Sequence, residues 1–228
     1  MTPDAALDEL AALGDTYKAG EMAAYHKVDC LFFGISNPDV YECVARWRED
    51  ASVEDRVALA QGLWNSNVHE ARIAAAKLLV QARMRPDDAA WALIASWVPT
   101  FEGWAVADHA CSAGSRRLIA DPARLDEVET WTTSDHLWTK RAALVMTLPW
   151  TKQKHPKPDE VDARERILGW AAGYVTDPQW FIQKAVSWWL RDLGRRDPDR
   201  VWAFLDAHGD SMKPFARKDA SRKLPPRS

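Results

Sequence analysis

Helix-start signals recur along this chain, and they constrain its fold more than any other feature. A residue that can cap a helix stands directly before a proline at five places, a pairing typical of the first helical turn. These places are Thr2-Pro3, Asn37-Pro38, Asp121-Pro122, Asp177-Pro178 and Asp197-Pro198. Ser52 and Asp55 add a capping box at a sixth place. The chain is therefore divided into many short helical segments.

Between these signals the sequence predicts helices and no strands, because no segment alternates apolar and polar residues with β-branched enrichment. The predicted helices cover 2–14, 15–27, 37–47, 52–64, 69–83, 86–97, 159–174, 197–208 and 213–223, with others opening at Asp121 and Asp177 and one around Arg141 that Ser134 or Asp135 caps. LFFGIS (Leu31 to Ser36) is predicted to be a connector that turns at Gly34, and Lys152 to Glu160 an exposed linker. The predicted fold class is all-α.

One helical element recurs within this pattern. Arg72, Arg141 and Lys184 each precede small apolar residues near the middle of a predicted helix, and the last two lie 43 residues apart. This period fits HEAT-type helix pairs, which repeat about every 40–47 residues. Such pairs stack into a curved α-solenoid with a concave binding surface. We predict a single domain over residues 1–228, with a further repeat at Trp104 to Cys111.

Composition and missing motifs argue against several classes of protein. No run of eighteen apolar residues is present, and the acidic N-terminus does not resemble a signal peptide, so we expect no membrane contact. The three cysteines are scattered and form no CxxC pair, which favours a reducing cytoplasm. Glycine-rich phosphate loops, HExxH and GxSxG motifs are absent, so neither a cofactor nor a metal is implied. We expect a monomer, because a stacked array completes its own core.

The formal net charge of −3 hides an asymmetry. Residues 1–110 carry 9 Lys/Arg and 17 Asp/Glu, whereas residues 111–228 carry 21 and 16. The last sixteen residues include six basic ones: Lys213, Arg217, Lys218, Arg222, Lys223 and Arg227. Basic clusters attract phosphates and release counterions, so the C-terminal half favours a polyanionic partner. A solvated basic tail explains the charge equally well.

The stretch FIQKAVSWWLR, residues 181–191, has the most specific pattern. On a helix, four of its residues share one apolar face: Ile182, Ala185, Val186 and Trp189. Residues four apart stack on a helix surface, so Trp188 should lie beside Lys184 on another face. WAVAD, which begins at Trp104 and ends at Asp108, likewise sets an indole and a carboxylate one turn apart. Most of the 13 tryptophans are expected to fill gaps between helices, so position has to select the functional ones.

With these motifs in place, the chain resembles the AlkD-type bacterial DNA alkylation-repair glycosylases, which have HEAT-like helical repeats. The resemblance runs from about Met22 to Lys223, and five segments carry it in order. They are MAAYHK…LFFGIS-x-P (Met22 to Pro38), WAVAD, LWTKRAA (Leu137 to Ala143), FIQKAVSWWLR and FARKDASRK (Phe215 to Lys223). Two positions depart from the family pattern: Gly103 replaces a common aromatic, and Ser36 replaces a common glutamine.

The resemblance implies catalytic or lesion-facing roles for Trp104, Asp108 and Trp188, a DNA contact for Arg141 and a place beside the lesion for Tyr25. It implies a DNA glycosylase that hydrolyses the N-glycosidic bond of N7-alkylguanine and N3-alkyladenine in duplex DNA, within base excision repair. Further DNA contacts are expected from the basic residues Lys184, Lys213, Arg217, Lys218 and Lys223.

These residue types suit that chemistry. An N3- or N7-alkylated purine is cationic and leaves without a strong general acid, so positive charge builds up on the deoxyribose. A carboxylate such as Asp108 can stabilise that charge and orient the attacking water. Indole faces attract cations by about 0.5–2 kcal/mol, and a planar guanidinium grips phosphate. Three stretches are expected to face one groove: WAVAD, FIQKAVSWWLR, and Trp138 to Ala143, which contains Arg141.

Two other function classes stay open at this point. One is a catalytically silent HEAT-repeat module that binds DNA, which the pairing of Trp104 with Asp108 disfavours, since binding alone needs no carboxylate facing phosphates. The other is a helical scaffold that binds a peptide, which the acidic N-terminal half favours and the basic C-terminal half opposes.

Overall fold

Residues 1–226 are described in the computed structural model, and they form thirteen α-helices joined by loops and 3₁₀ turns. The helices are α1 (Pro3–Ala12), α2 (Thr16–His26), α3 (Asn37–Trp47), α4 (Val53–Asn65), α5 (His69–Leu78), α6 (Asp88–Trp97), α7 (Trp104–Ala120), α8 (Leu125–Thr130), α9 (Leu137–Met146), α10 (Pro158–Gly173), α11 (Trp180–Leu193), α12 (Pro198–His208) and α13 (Pro214–Ser221). No strand occurs in this range; one isolated β-bridge pairs Leu31 with Val68. The all-α prediction is confirmed, and Arg227 lies outside the described residues.

Local capping explains where several of these helices begin. The Thr2 hydroxyl accepts a backbone N–H group from the first turn of α1. The predicted Ser52–Asp55 capping box forms at α4, and Asp197 caps α12 over its predicted range, Pro198–His208. Each such cap stabilises its helix by about 1 kcal/mol. Within residues 1–226, no helix has the length and apolarity to cross a lipid bilayer.

The predicted end of the fifth helix is wrong. α5 ends at Leu78 rather than at Arg83. Beyond it, the buried guanidinium of Arg117 donates to the backbone carbonyl of Gln81, and Arg56 donates to the Gln81 side chain. These long-range partners hold the backbone in a turn, which overrides the high helix propensity of the segment.

The caps predicted for α9 and α11 are also wrong. α9 is capped by His136, whose Nδ1 accepts the backbone N–H of Thr139, and not by Ser134 or Asp135. α11 begins at Trp180. Asp177 does not cap it, because its carboxylate accepts the Gln179 backbone N–H at 2.8 Å and pairs with the Lys140 ammonium at 2.6 Å. The helix therefore begins three residues after Asp177.

The helices group into two compact units, residues 1–120 and the chain from Asp121 onward. In the first unit, α5 packs against α3, α4 and α7. The α5 residues on these contacts are small and buried: Ala71, Ala74, Ala75 and Ala76. Large rings fill the gaps around them, and Trp64 stacks on Trp97 with 4.1 Å between ring centroids. These two tryptophans have the core-filling role expected for most of the 13.

In the second unit, α11 is the central helix and packs against α9 and α13. Its predicted apolar face is confirmed, because four residues are at most 2% exposed: Ile182, Ala185, Val186 and Trp189. The helices that carry the repeated element therefore stack on one another within each unit, α5 on α7 and α9 on α11, as a stacked array of repeats predicts.

A single buried amide links three segments of the second unit. Gln183 Nε2 donates to the backbone carbonyls of Tyr174, Val175 and Asp177 at 2.9–3.0 Å. The Gln183 Oε1 accepts the backbone N–H of Lys213 at 3.3 Å. The amide thus satisfies carbonyls left open after α10 and ties the start of α13 to the first turn of α11.

Candidate functional site

Trp104 and Asp108 lie one turn apart on α7, in the first unit. The Trp104 side chain is 39% exposed and Asp108 is half-buried, so both reach the surface. Gly103, just before the helix, is the position where the resembling family often carries an aromatic residue. A Cβ at Gly103 would lie only 2.9 Å from Val28 Cγ1. With Val28 packed in this position, a larger residue would fit at 103 only if the valine side chain shifted.

Trp104 rests against rings from two other segments of the first unit. Its ring centroid lies 6.4 Å from that of Tyr25 and 5.6 Å from that of His26. Below them, His69 packs 4.6 Å from His26 and 4.7 Å from Phe32. We call these five residues the aromatic cluster. The structure therefore brings Tyr25 beside Trp104, and the place beside a lesion implied for Tyr25 stays a prediction. The cluster also includes His26, Phe32 and His69, which sequence reasoning missed.

A buried carboxylate holds the LFFGIS connector in place beneath this cluster. Glu70, 1% exposed, accepts the backbone N–H groups of Phe33, Gly34 and Ile35 at 3.1, 2.8 and 3.2 Å. Gly34 has φ +79, a left-handed conformation that favours glycine, and a Cβ there would collide with the start of α2. The connector is fixed from both sides, and it carries Phe32 into the cluster.

Burial keeps the histidines near Trp104 uncharged. It lowers the pKa of His69 to about 4, and the neighbouring His26, His109 and Arg72 lower it further. Burial also lowers the pKa of His109 to about 4, against an opposing effect of Asp108. The pKa of His26 falls for the same reason, although Glu70 opposes the change. At neutral pH the cluster therefore consists of neutral rings.

These shifts predict a loss of stability in acid. The unfolded chain binds protons with an ordinary histidine pKa of about 6.5, whereas folded His69 resists protonation until about pH 4. Stability should therefore be complete above pH 6.5 and fall as the pH drops toward 4, by about 2 kcal/mol between pH 7 and pH 5 for His69 alone. Urea unfolding of wild type and His69→Phe at both pH values measures this, because phenylalanine keeps the stacking but cannot titrate.

The matched control is His155→Gln, which changes an exposed histidine and should leave the pH dependence as in wild type. A His69→Phe protein that loses as much stability as wild type between pH 7 and pH 5 would contradict the assignment.

A small pocket of about 20 Å³ opens beside Trp104, with room for one water molecule. His69 Nδ1 has no hydrogen-bond partner within residues 1–226. Arg72 also lines the pocket, and its guanidinium lies 5.4 Å from the Trp64 ring centroid. Burial raises the pKa of the Cys30 thiol to about 11, so this lining residue stays protonated and is no thiolate nucleophile.

Trp188 and Lys184 lie off the apolar face of α11, as predicted. The half-buried Trp188 donates from Nε1 to an Asp192 carboxylate oxygen at 3.2 Å. The Lys184 ammonium lies 5.7 Å from the ring centroid of Trp180, at the start of the same helix. The carboxylate of Asp192 thus fixes the orientation of the Trp188 indole.

Arg141 is buried, with only 4% of its surface exposed. Its guanidinium carbon lies 5.8 Å from the ring centroid of Trp138, one turn earlier on α9. A side chain with so little exposed surface offers little contact area to a phosphate. Nothing in the sequence indicated this burial. The phosphate contact expected of Arg141 stays a prediction.

The basic C-terminal residues differ in their surroundings: two bond to neighbouring groups, and two lysines are exposed. The Lys213 ammonium donates to the carbonyl of Pro178 at 2.5 Å, and Arg217 pairs with Asp210 at 2.6 Å on an exposed surface. Two further lysines of the segment are exposed: Lys218 and Lys223. The DNA contacts expected of all four stay predictions, as does the groove expected to join the three stretches. Within residues 1–226, no three His, Cys, Asp or Glu side chains are grouped as a metal site.

The fold is similar to that of solved bacterial proteins. A predicted DNA alkylation repair enzyme from Enterococcus faecalis superposes with a TM-score of 0.77 at 19% identity, over 92% of this chain and 95% of that one. AlkD2 from Streptococcus mutans gives a TM-score of 0.61 at 20% identity, over 84% and 91%. The protein smu.31 from Streptococcus mutans UA159 gives 0.62 at 20% identity, over 82% and 92%. At these identities the likeness establishes a common fold.

Sequence comparison adds the family. No curated protein matches the chain significantly. The family profile described as DNA alkylation repair enzyme matches residues 6–224, which is nearly the whole chain and includes every predicted site residue. The chain, with its HEAT-like helical fold, therefore belongs to the DNA alkylation repair enzyme family.

Proposed function

We propose that the protein is a monofunctional DNA glycosylase that removes cationic alkylated purines, N7-alkylguanine and N3-alkyladenine, from duplex DNA. The catalytic residues in this proposal are Asp108, Trp104 and Trp188. Family membership supports a DNA repair role, and the family profile spans residues 6–224, so the proposal treats the whole chain as one functional domain.

The observation that carries the proposal is the pairing on α7. A carboxylate that reaches the surface, Asp108, lies one turn from a 39% exposed indole, Trp104. A binding surface for a polyanion gains nothing from a carboxylate, because its charge repels phosphates. A reaction that develops positive charge on a sugar does gain from it.

The neutral aromatic cluster fits the same substrate. Because burial lowers the pKa of His26 and His69, their rings add no positive charge below Trp104 at neutral pH. A cationic base would meet electron-rich faces, which attract cations by about 0.5–2 kcal/mol. Protonated imidazoles in the same place would repel it. The cluster therefore favours cationic bases over neutral ones and contributes little to distinguishing one base from another.

The reaction is a hydrolysis. The bond between sugar C1′ and the alkylated purine nitrogen breaks, and its electron pair leaves with the base, which becomes neutral. Asp108 stabilises the positive charge that develops on the deoxyribose and orients a water molecule toward C1′. The water oxygen forms the new bond to C1′, and its proton passes to Asp108 or to solvent. No cofactor or metal takes part in the proposed reaction.

The test is release of free base from duplex DNA that carries one 7-methylguanine, measured by chromatography. Wild type should release 7-methylguanine and leave undamaged guanine in place. Trp188→Ala should lower the rate by about tenfold, because it removes one cation-binding indole face. The matched control Trp202→Ala removes a half-buried tryptophan of α12 that the proposal does not use.

The same assay separates the other function classes. Tight binding of duplex DNA without base release would favour a silent binding module, and neither binding nor release would favour a peptide-binding scaffold. Either result would overturn the proposed activity. We further propose that the protein works as a monomer in the cytoplasm, where its three free cysteines, Cys30, Cys43 and Cys111, would stay reduced.

A further inference from the structure

A second aromatic surface lies at the start of α11, within the second unit. Trp180 is 50% exposed and stacks on Phe215 of α13, with 5.8 Å between ring centroids and 22° between planes. Phe181 meets the Trp180 ring edge-on at 4.9 Å. Half of a large indole thus stays uncovered, although two neighbouring rings pack against it. The proposed reaction does not use it.

Two ammonium groups lie near this indole. Lys184 places its ammonium 5.7 Å from the Trp180 ring centroid. Lys213 fixes its ammonium on the carbonyl of Pro178, two residues before Trp180. The nearby carboxylate of Asp177 is almost covered and neutralised by a lysine of α9, at 2.6 Å. We call Trp180, Phe181, Phe215, Lys184 and Lys213 the Trp180 patch.

The patch is continuous with Trp188. Trp180, Lys184 and Trp188 are four residues apart, so they form one stripe along the solvent side of α11. Eight residues of α-helix rise about 12 Å, the length of three to four stacked base pairs. A DNA segment of about three to four base pairs is therefore long enough to span Trp188 and Trp180.

We propose that the Trp180 patch is a further DNA-contact site, which stacks one unpaired nucleobase on Trp180 and holds its adjacent phosphates on Lys184 and Lys213. This inference rests on the proposed function, because it takes DNA as the partner. An exposed indole face binds any base that presents its own face, and a base within a paired duplex presents only its edges. A lysine ammonium suits a phosphate because it is a compact point charge with three N–H donors. The patch therefore takes distorted DNA in which a base has left the stack.

The experiment compares two undamaged, fluorescently labelled duplexes of the same sequence, one fully paired and one with a single bulged nucleotide. Fluorescence anisotropy measures the affinity of the full-length protein for each. Wild type should bind the bulged duplex about tenfold more tightly, as expected for one stacked base. Trp180→Ala should reduce this preference to less than twofold, and Trp180→Phe should keep most of it. Ile119→Ala, which removes an equally exposed apolar side chain from α7, should bind both duplexes like wild type.

The inference is overturned if wild type shows no preference for the bulged duplex, or if Trp180→Ala keeps the preference. The second outcome requires a folded Trp180→Ala protein, checked by circular dichroism. If the alanine variant does not fold, Trp180→Leu supplies the answer, because leucine keeps apolar bulk without an aromatic face and should also reduce the preference to less than twofold. Base release without a bulge preference would defeat this inference alone. A bulge preference that depends on Trp180, without base release, would defeat the proposed glycosylase activity alone.

Discussion

Replacing Asp108 with asparagine is expected to lower the rate of 7-methylguanine release by about 100-fold or more. Asparagine keeps the shape of the side chain and its hydrogen-bonding oxygen but removes the negative charge. The positive charge that develops on the deoxyribose would then lose its nearest counter-charge, and the attacking water would lose its proton acceptor. Single-turnover measurement, with protein in excess over DNA, isolates this chemical step from product release.

Duplex binding distinguishes a catalytic effect from a structural one. Asp108→Asn should bind lesion-containing duplex at least as tightly as wild type, because a carboxylate that repels phosphates is gone. Glu42→Gln is the matched control, since it removes one negative charge from an exposed position on α3 and should leave the rate unchanged. An asparagine variant that releases base at the wild-type rate would remove Asp108 from the mechanism.

Replacing Glu70 with alanine is expected to destabilise the protein by about 3–5 kcal/mol. Three backbone N–H groups, those of residues 33–35, would lose the carboxylate that accepts their hydrogen bonds at 2.8–3.2 Å. Leaving a buried donor unsatisfied costs about 1–3 kcal/mol for each group. Thermal unfolding followed by circular dichroism should show a fall in Tm of about 10 °C.

Two comparison variants test the cause of this loss. Glu70→Gln keeps one acceptor oxygen without the charge and should fall between alanine and wild type. Glu21→Ala removes an exposed glutamate from α2 and should stay within about 0.5 kcal/mol of wild type. If Glu70→Ala melted like Glu21→Ala, the carboxylate would not be what secures the connector that carries Phe32.

The sequence predicted the fold where local signals decide the structure. The start of α12 at Pro198 follows from the Asp197 cap and the proline beside it, and the apolar face of α11 follows from its periodicity. Prediction failed where a distant side chain decides the structure. α5 stops early because Arg117, from α7, takes the Gln81 carbonyl, and no pattern within residues 69–83 contains that information.

The candidate site shows the same division. The spacing of Trp104 and Asp108 within one helix was readable, because both belong to a single turn. The packing of His69 against His26 and Phe32 was not, because those rings come from separate segments whose approach depends on the whole first unit. The burial of Arg141 was hidden for the same reason: an arginine in a sequence gives no sign of what covers it.

The Gln183 amide makes the basic C-terminal segment a structural part of the second unit. Because its oxygen holds the Lys213 backbone, and because Ser187 and Arg191 of the same helix both bond to Asp219, the segment is a wall of the second unit and not an appendage. Truncating the chain at this segment would remove positive charge, but it would also expose the side of α11 that packs against α13. Charge and architecture are inseparable in this segment, so its electrostatic role can be probed only by point substitutions that spare those anchors.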